Sequence, residues 1–275
     1  MKKLIAAALI LMSSLSFAHD LSQTMMPKTY LKRTKPVLNA ALVYYGDFYT
    51  EDDLSRVEEL FKERFHLATD KALSINIAWK KVIPFKHQLI DYPEYRQDYV
   101  TDPERLQRLW YYDNVGAKVL KEVWEQVSGD LKKLDSLIII TGAQFDALGF
   151  ASGRVAVTEN PMEVAWGLQG GGRVEIQSDA KVVDELIHET GHVMFLDHAS
   201  TQCQKPGMTY QETLECCKTS PAKDDVMSYC RNRSAVDEEK FFGFGECNLR
   251  NIKNKVVPAM LSGGAWNIAD REKCL

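Results

Sequence analysis

The chain has 275 residues, 45% of them hydrophobic, which suits one domain with two lobes around a cleft. Its 34 basic side chains against 38 acidic ones give a net charge of −4 with no dense basic stripe, which argues against nucleic acid as a partner. No internal repeat or low-complexity segment is present.

Residues 1–18 read as a secretory signal peptide: Met1-Lys2-Lys3 is basic, 4–15 is mostly apolar, and Ser16-Phe17-Ala18 is a small-x-small cleavage site. The apolar run is too short to span a bilayer, and no later segment approaches spanning length. The lysine-rich start is of bacterial type, so the expected location is the periplasm or outside the cell. Residues 19–36 form an arm carrying Lys28, Lys32, Arg33 and Lys35. It reads as a disordered leader, a clip to the body or a short removable pro-segment, with disorder the default.

The body follows as strands and helices. Residues 37–45 predict a buried strand and Gly46-Asp47 a turn. Leu54, Val57, Leu60, Phe61 and Phe65 form a helical stripe over 51–65. Residues 73–83 alternate as a second strand ended by Pro84, and Asp102-Pro103 caps a long helix through 127. That helix would turn Leu106, Leu109, Trp110, Val119, Leu120 and Val123 inward, and Tyr92, Tyr95, Tyr99, Tyr111 and Tyr112 read as core or half-buried faces. The β-branched run 136–141 predicts a central strand. Residues 154–158 and 173–177 predict two more, the second introduced by Gly170-Gly171-Gly172. A helix begins at Asp179, with Val183, Leu186 and Ile187 toward the sheet.

That helix carries His188-Glu189-Thr190-Gly191-His192, and His198 follows six residues on. Positions i and i+4 share a helix face, so the imidazoles of His188 and His192 can reach one metal ion. Glu189 is placed to take a proton from water on that metal. His198 becomes a third ligand only if the chain turns. Three protein ligands with a fourth position open mark a catalytic zinc.

HExxH with a third histidine, then a methionine turn at Asp225-Val226-Met227-Ser228-Tyr229, resembles the metzincin metallopeptidases over about residues 179–230. The turn is most similar to that of the astacin-like and serralysin-like branches. The resemblance implies one Zn2+ on His188, His192 and His198, with Glu189 as general base and acid. It implies Met227 as a hydrophobic floor beneath the metal. Tyr229 would be a switchable ligand or a hydrogen-bond donor to the tetrahedral intermediate. The implied fold is α+β and zincin-like: a mixed twisted sheet with an antiparallel edge strand, packed on two long helices plus the active-site helix. An irregular, disulfide-rich C-terminal lobe completes it, dividing the body into 37–198 and 199–275. One of the strands between Gly153 and Gln177 would be the edge strand that pairs with substrate. The segment after the methionine turn would place Arg231 and Arg233 on the pocket for the residue after the cut, favouring an acidic or polar side chain there.

The chain departs from the family at Phe195, where glycine usually ends the helix in a left-handed turn. Either Phe195 accepts that conformation or the helix ends otherwise. In the second case Asp197, Glu212 or Glu215 would be the fallback third ligand. The six cysteines all follow the zinc motif, at 203, 216, 217, 230, 247 and 274. In an exported chain they read as three disulfides, with Cys216 and Cys217 going to different partners and Cys274 tying down the tail. The segment after His198 lacks long apolar runs, so cross-links are expected to replace a core there. The leading expectation is an exported monomeric zinc endopeptidase acting on protein or peptide. The alternatives are a zincin of restricted action, such as an aminopeptidase or cell-wall peptide hydrolase, and a non-catalytic zincin that binds a partner.

Overall fold

The computed structural model describes residues 28–29, 32–46, 49–84, 134–141, 149–152, 155–159, 162–165, 173–176, 178–205, 207–231, 235–237, 239–266 and 271–274. The arm is fastened to the body where it is described. Lys28–Thr29 (β1) pairs antiparallel with residues 265–266, and Arg33 donates its backbone N–H to the Met260 carbonyl at 3.1 Å. The Arg33 guanidinium also meets the buried carboxylate of Asp135. These residues read as a clip, because their backbone pairs with residues 260 and 265–266 and the Arg33 charge meets Asp135.

Val37–Tyr45 (β2) is apolar almost throughout, and residues on both of its faces, from Ala40 to Tyr45, are buried. Such a strand belongs inside a parallel sheet. The following helix, Glu51–Ala68 (α1), starts at a capping box in which Thr50 and Asp53 exchange hydrogen bonds. Those bonds from Thr50 hold the Asp53 carboxyl down at about 2. Leu54, Val57, Phe61 and Phe65 form the buried stripe, while Leu60 is half-buried at its margin.

Ser74–Ile83 (β3) and Ser136–Thr141 (β4) flank β2, both parallel to it. Gly149–Ser152 (β5) and Val155–Glu159 (β6) complete a sheet of order β3-β2-β4-β6-β5, in which β6 runs parallel to β4 and β5 antiparallel to β6. Met162–Ala165 (β7) and Arg173–Ile176 (β8) form a separate antiparallel pair. This corrects the placement of the edge strand between Gly153 and Gln177. The strand at 155–159 is parallel, and the strand at 173–176 pairs outside the main sheet. The predicted helix 102–127 and the tyrosines at 92, 95, 99, 111 and 112 lie outside the described residues.

Asp179–Val193 (α2), capped by Ser178, packs beside α1 and over β5 and β6. Leu38, Ala40, Leu42 and Tyr44 of β2 share one core with α1 and with Val183, Leu186 and Ile187 of α2. Beyond α2 come Tyr210–Thr219 (α3) and Glu246–Asn251 (α4), which passes through a π turn at Ile252–Val256 into Val257–Ser262 (α5). Ala265–Trp266 (β9) ends in the pairing with β1.

Three disulfides form, Cys203–Cys216, Cys217–Cys230 and Cys247–Cys274, so the adjacent cysteines do part company. The expectation that cross-links replace burial is corrected. Val226, Met227, Val236, Phe242, Phe244, Ile252, Val256 and Met260 join the same core as the sheet and helices. Irregular backbone brings these single apolar residues together, so no apolar run is needed. Among the described residues, no helix is long and apolar enough to cross a membrane.

Phe61 is fully buried and meets Phe65 edge-on at 5.8 Å between centroids. Phe61→Ala should cost about 3–5 kcal/mol of unfolding free energy in urea titration. A loss below about 1 kcal/mol would contradict this packing.

Candidate metal centre

Helix α2 ends within a few residues, and the way it ends builds the site. Val193 is the last helical residue, Met194 caps the helix, and Phe195 follows at φ 62°, in the left-handed region. The Phe195 N–H donates to the His192 carbonyl at 2.9 Å and the Leu196 N–H to the Gly191 carbonyl at 3.0 Å. This pair of bonds is the Schellman closure, here with phenylalanine where glycine is usual. Phe195 thus accepts the left-handed conformation, and the second route, a helix ending otherwise, is not taken. Arg271 reinforces the bend by donating to the Phe195 carbonyl at 3.2 Å and pairing with Asp197 at 2.8 Å. Asn248 adds a bond to the Asp197 carbonyl at 3.2 Å.

The bend returns His198 to the helix. His198 Nε2 lies 2.9 Å from Nε2 of His192 and 3.2 Å from Nε2 of His188. Each Nδ1 has its own partner: the Val226 carbonyl at 2.8 Å for His188, the Leu196 carbonyl at 3.1 Å for His192, and the Tyr229 hydroxyl at 2.6 Å for His198. A carbonyl only accepts, so the His192 proton belongs on Nδ1 and its Nε2 turns a lone pair inward, while His188 Nδ1 lies between the Val226 carbonyl and Arg231 Nη1 at 2.6 Å. Burial above all, then the Arg231 guanidinium and the neighbouring rings, holds the His188 imidazole well below its ordinary pKa of 6.5. The ring is therefore neutral, as a ligand must be.

Converging lone pairs call for a cation. Three imidazoles are the donor set of a catalytic zinc, which keeps its fourth position for water. Ligand nitrogens around a tetrahedral zinc lie about 3.3 Å apart, close to the spacing of this cluster. The residues present fit the metal. Glu189 stands beside it, with Oε1 3.9 Å from His188 Nε2, and is buried.

The methionine turn docks beneath α2 for a steric reason. A Cβ on Gly191 would fall 2.5 Å from Met227 Sδ and 3.0 Å from the Phe244 ring, so any larger residue would push the Met227 side chain from this approach. Asp225 holds the turn by accepting from the Met227 N–H at 2.8 Å and from Asn248 at 3.1 Å. Burial pushes its carboxyl up despite those bonds. Ala199 donates to the Met227 carbonyl at 3.0 Å and bridges Ser228, which sets Tyr229 alongside His198.

The fallback ligands go elsewhere. Asp197 pairs with Arg271, Glu212 caps α3 through Thr209, and Glu215 pairs with Lys218. Arg231 does not line a pocket as expected. It is buried, with Nε 3.1 Å from Asp184 and Nη2 2.6 Å from Glu185. Arg233 lies outside the described residues. Asp184, Glu185, Asn248 and Arg271 support the site without any local signal in the sequence, since each acts on a residue far along the chain.

No protein-family model matches the sequence, and no curated protein does. Among solved structures, the chain is similar to an archaemetzincin from Methanopyrus kandleri, with 17% identity over 82% of this chain and 98% of that one, at TM-score 0.44. It is also similar to a chain of a chaperone–substrate complex, with 7% identity over 82% of this chain and 35% of that one, at TM-score 0.40. A zinc-dependent peptidase from Methanocorpusculum labreanum matches at 13% identity over 76% of this chain and 100% of that one, at TM-score 0.34. Likenesses this distant transfer neither fold nor chemistry.

Two outcomes test the centre. Phe195→Gly relieves about 1–2 kcal/mol of left-handed strain. It also removes a buried aromatic side chain worth about 3–5 kcal/mol, so it should destabilise by about 2 kcal/mol in thermal melts while zinc still binds. Stabilisation would mean the ring contributes nothing to the bend. For pH, a ring whose folded pKa lies below 6.5 binds its proton more readily in the unfolded chain. Stability present above 6.5 is then lost as pH falls toward the folded value. The metal-stripped protein should melt progressively lower on acidification through that window, and His188→Gln should flatten the profile.

Proposed function

We propose that this protein is an exported zinc-dependent endopeptidase. The observation that carries the reading is the meeting of Nε2 atoms from His188, His192 and His198, with the Glu189 carboxylate beside them. Export is supported by the basic-then-apolar start of the chain and by three disulfides, which persist in oxidising compartments.

When bound, zinc would polarise a peptide carbonyl and make a water nucleophilic at neutral pH. His188, His192 and His198 would hold it, leaving one side for water and substrate. Glu189 takes the proton from the attacking water and passes it to the leaving amine. Its burial removes competing solvent from that transfer. Tyr229 accepts from His198 Nδ1–H and so fixes that ring, while its own O–H remains to donate to the substrate oxyanion. Burial, then Asp197 and Glu189, raises the Tyr229 pKa and keeps that hydroxyl protonated. Met227 packs under Gly191 as a floor for the helix that carries both first ligands. With Phe195 in the left-handed region, the helix ends with the geometry that glycine usually supplies there.

The test is metal content together with casein or peptide hydrolysis. The wild type should bind one zinc and cleave, and chelation should stop cleavage. Glu189→Ala should lower turnover by about 100-fold or more while zinc stays bound, the scale of general acid–base catalysis. Substantial hydrolysis by the metal-loaded variant would rule this mechanism out.

A further inference from the structure

We propose that Arg231 is a positioning residue for the zinc site, acting through the Val226 carbonyl that orients His188. The inference rests on the zinc-peptidase reading above. Its side chain is 1% exposed, and its fork is divided among three groups. Nε bonds Asp184 and Nη2 bonds Glu185. Nη1 donates to the Val226 carbonyl and lies 2.6 Å from His188 Nδ1.

The placement of those partners gives the arrangement its meaning. Asp184 and Glu185 stand four and three residues before His188, so one face of α2 presents both carboxylates and the first ligand. The Val226 carbonyl has two lone pairs and faces both His188 Nδ1 and Arg231 Nη1. The guanidinium therefore fixes the position of the oxygen against which the His188 ring is set. Arg231 also anchors one end of the stretch that carries Met227 and Tyr229, beside the Cys217–Cys230 disulfide. Helix, first ligand and methionine turn are joined by one planar cation, a geometry that lysine, with a single nitrogen, cannot reproduce.

A purely structural ion cluster predicts something different. Buried charge clusters often contribute little net stability when all members are replaced together by uncharged groups. Partners that orient a metal-bound histidine are worth about 10–100-fold in metal affinity. The two roles separate in the combined variant Asp184→Asn, Glu185→Gln, Arg231→Met, which leaves no stranded charge.

The experiment measures zinc affinity by competition with a chromogenic chelator, and Tm on the metal-free protein. The combined variant should bind zinc about 10–100-fold more weakly than wild type. The control Arg33→Met breaks the remote buried pair with Asp135 and should lower Tm without changing zinc affinity. Arg231→Lys should keep the weakened affinity, since the charge alone does not set the carbonyl. Zinc affinity within about twofold of wild type in the folded combined variant would overturn the proposal and leave the peptidase reading intact. Equal weakening by Arg33→Met would also overturn it, by showing that general destabilisation is what the assay reads. A wild type that binds no zinc would overturn the peptidase reading, and this proposal with it.

Discussion

One residue in the left-handed region, Phe195, carries the site. A β-carbon at φ 62° costs about 1–2 kcal/mol, and the chain meets that cost at the point where a helix must reverse within three residues. Two backbone hydrogen bonds close the turn, the phenylalanine ring is buried, and Arg271 and Asn248 hold the residues just after it. If α2 continued unbroken, His198 would point away from His188 and His192. The bend is what turns a two-histidine helix into a three-nitrogen cluster.

The same device then recurs three times. Each histidine is held by its Nδ1, and each holding group is itself fixed by the fold. Leu196 offers its carbonyl because the Schellman closure presents it. Val226 does so because the turn around Met227 is tied by Asp225 and Arg231. Tyr229 is set beside His198 by the bridge between Ala199 and Ser228. The rings are thus aimed before any ion arrives, which reduces the ordering cost of binding one.

Much of the scaffold was legible because it is local. The strand 37–45 and the run 136–141 are continuous buried apolar stretches, and α1 has a capping box followed by a regular stripe. Strands β5 and β7 have four residues each and are strands only because they pair, so nothing local marks them. Arg231 was misplaced for a related reason. Its side chain reads the same in sequence whether it meets solvent or two carboxylates 46 and 47 residues earlier. The C-terminal segment was expected to lack a core because its apolar residues are scattered, yet Val226, Phe244, Val256 and Met260 meet in one.

What the sequence determined alone was the chemistry on offer: two histidines a turn apart on one helix, a carboxylate beside them, a third histidine nearby and six cysteines able to pair. Spacing on a helix and residue type are properties of a short window, so they survive without a fold. The tertiary structure decided where the third imidazole points, which carbonyls hold the rings, that the arm is clipped to β9, and that Arg231 faces inward. Each of these depends on partners distant in the chain, and only packing brings such partners within a hydrogen bond of one another.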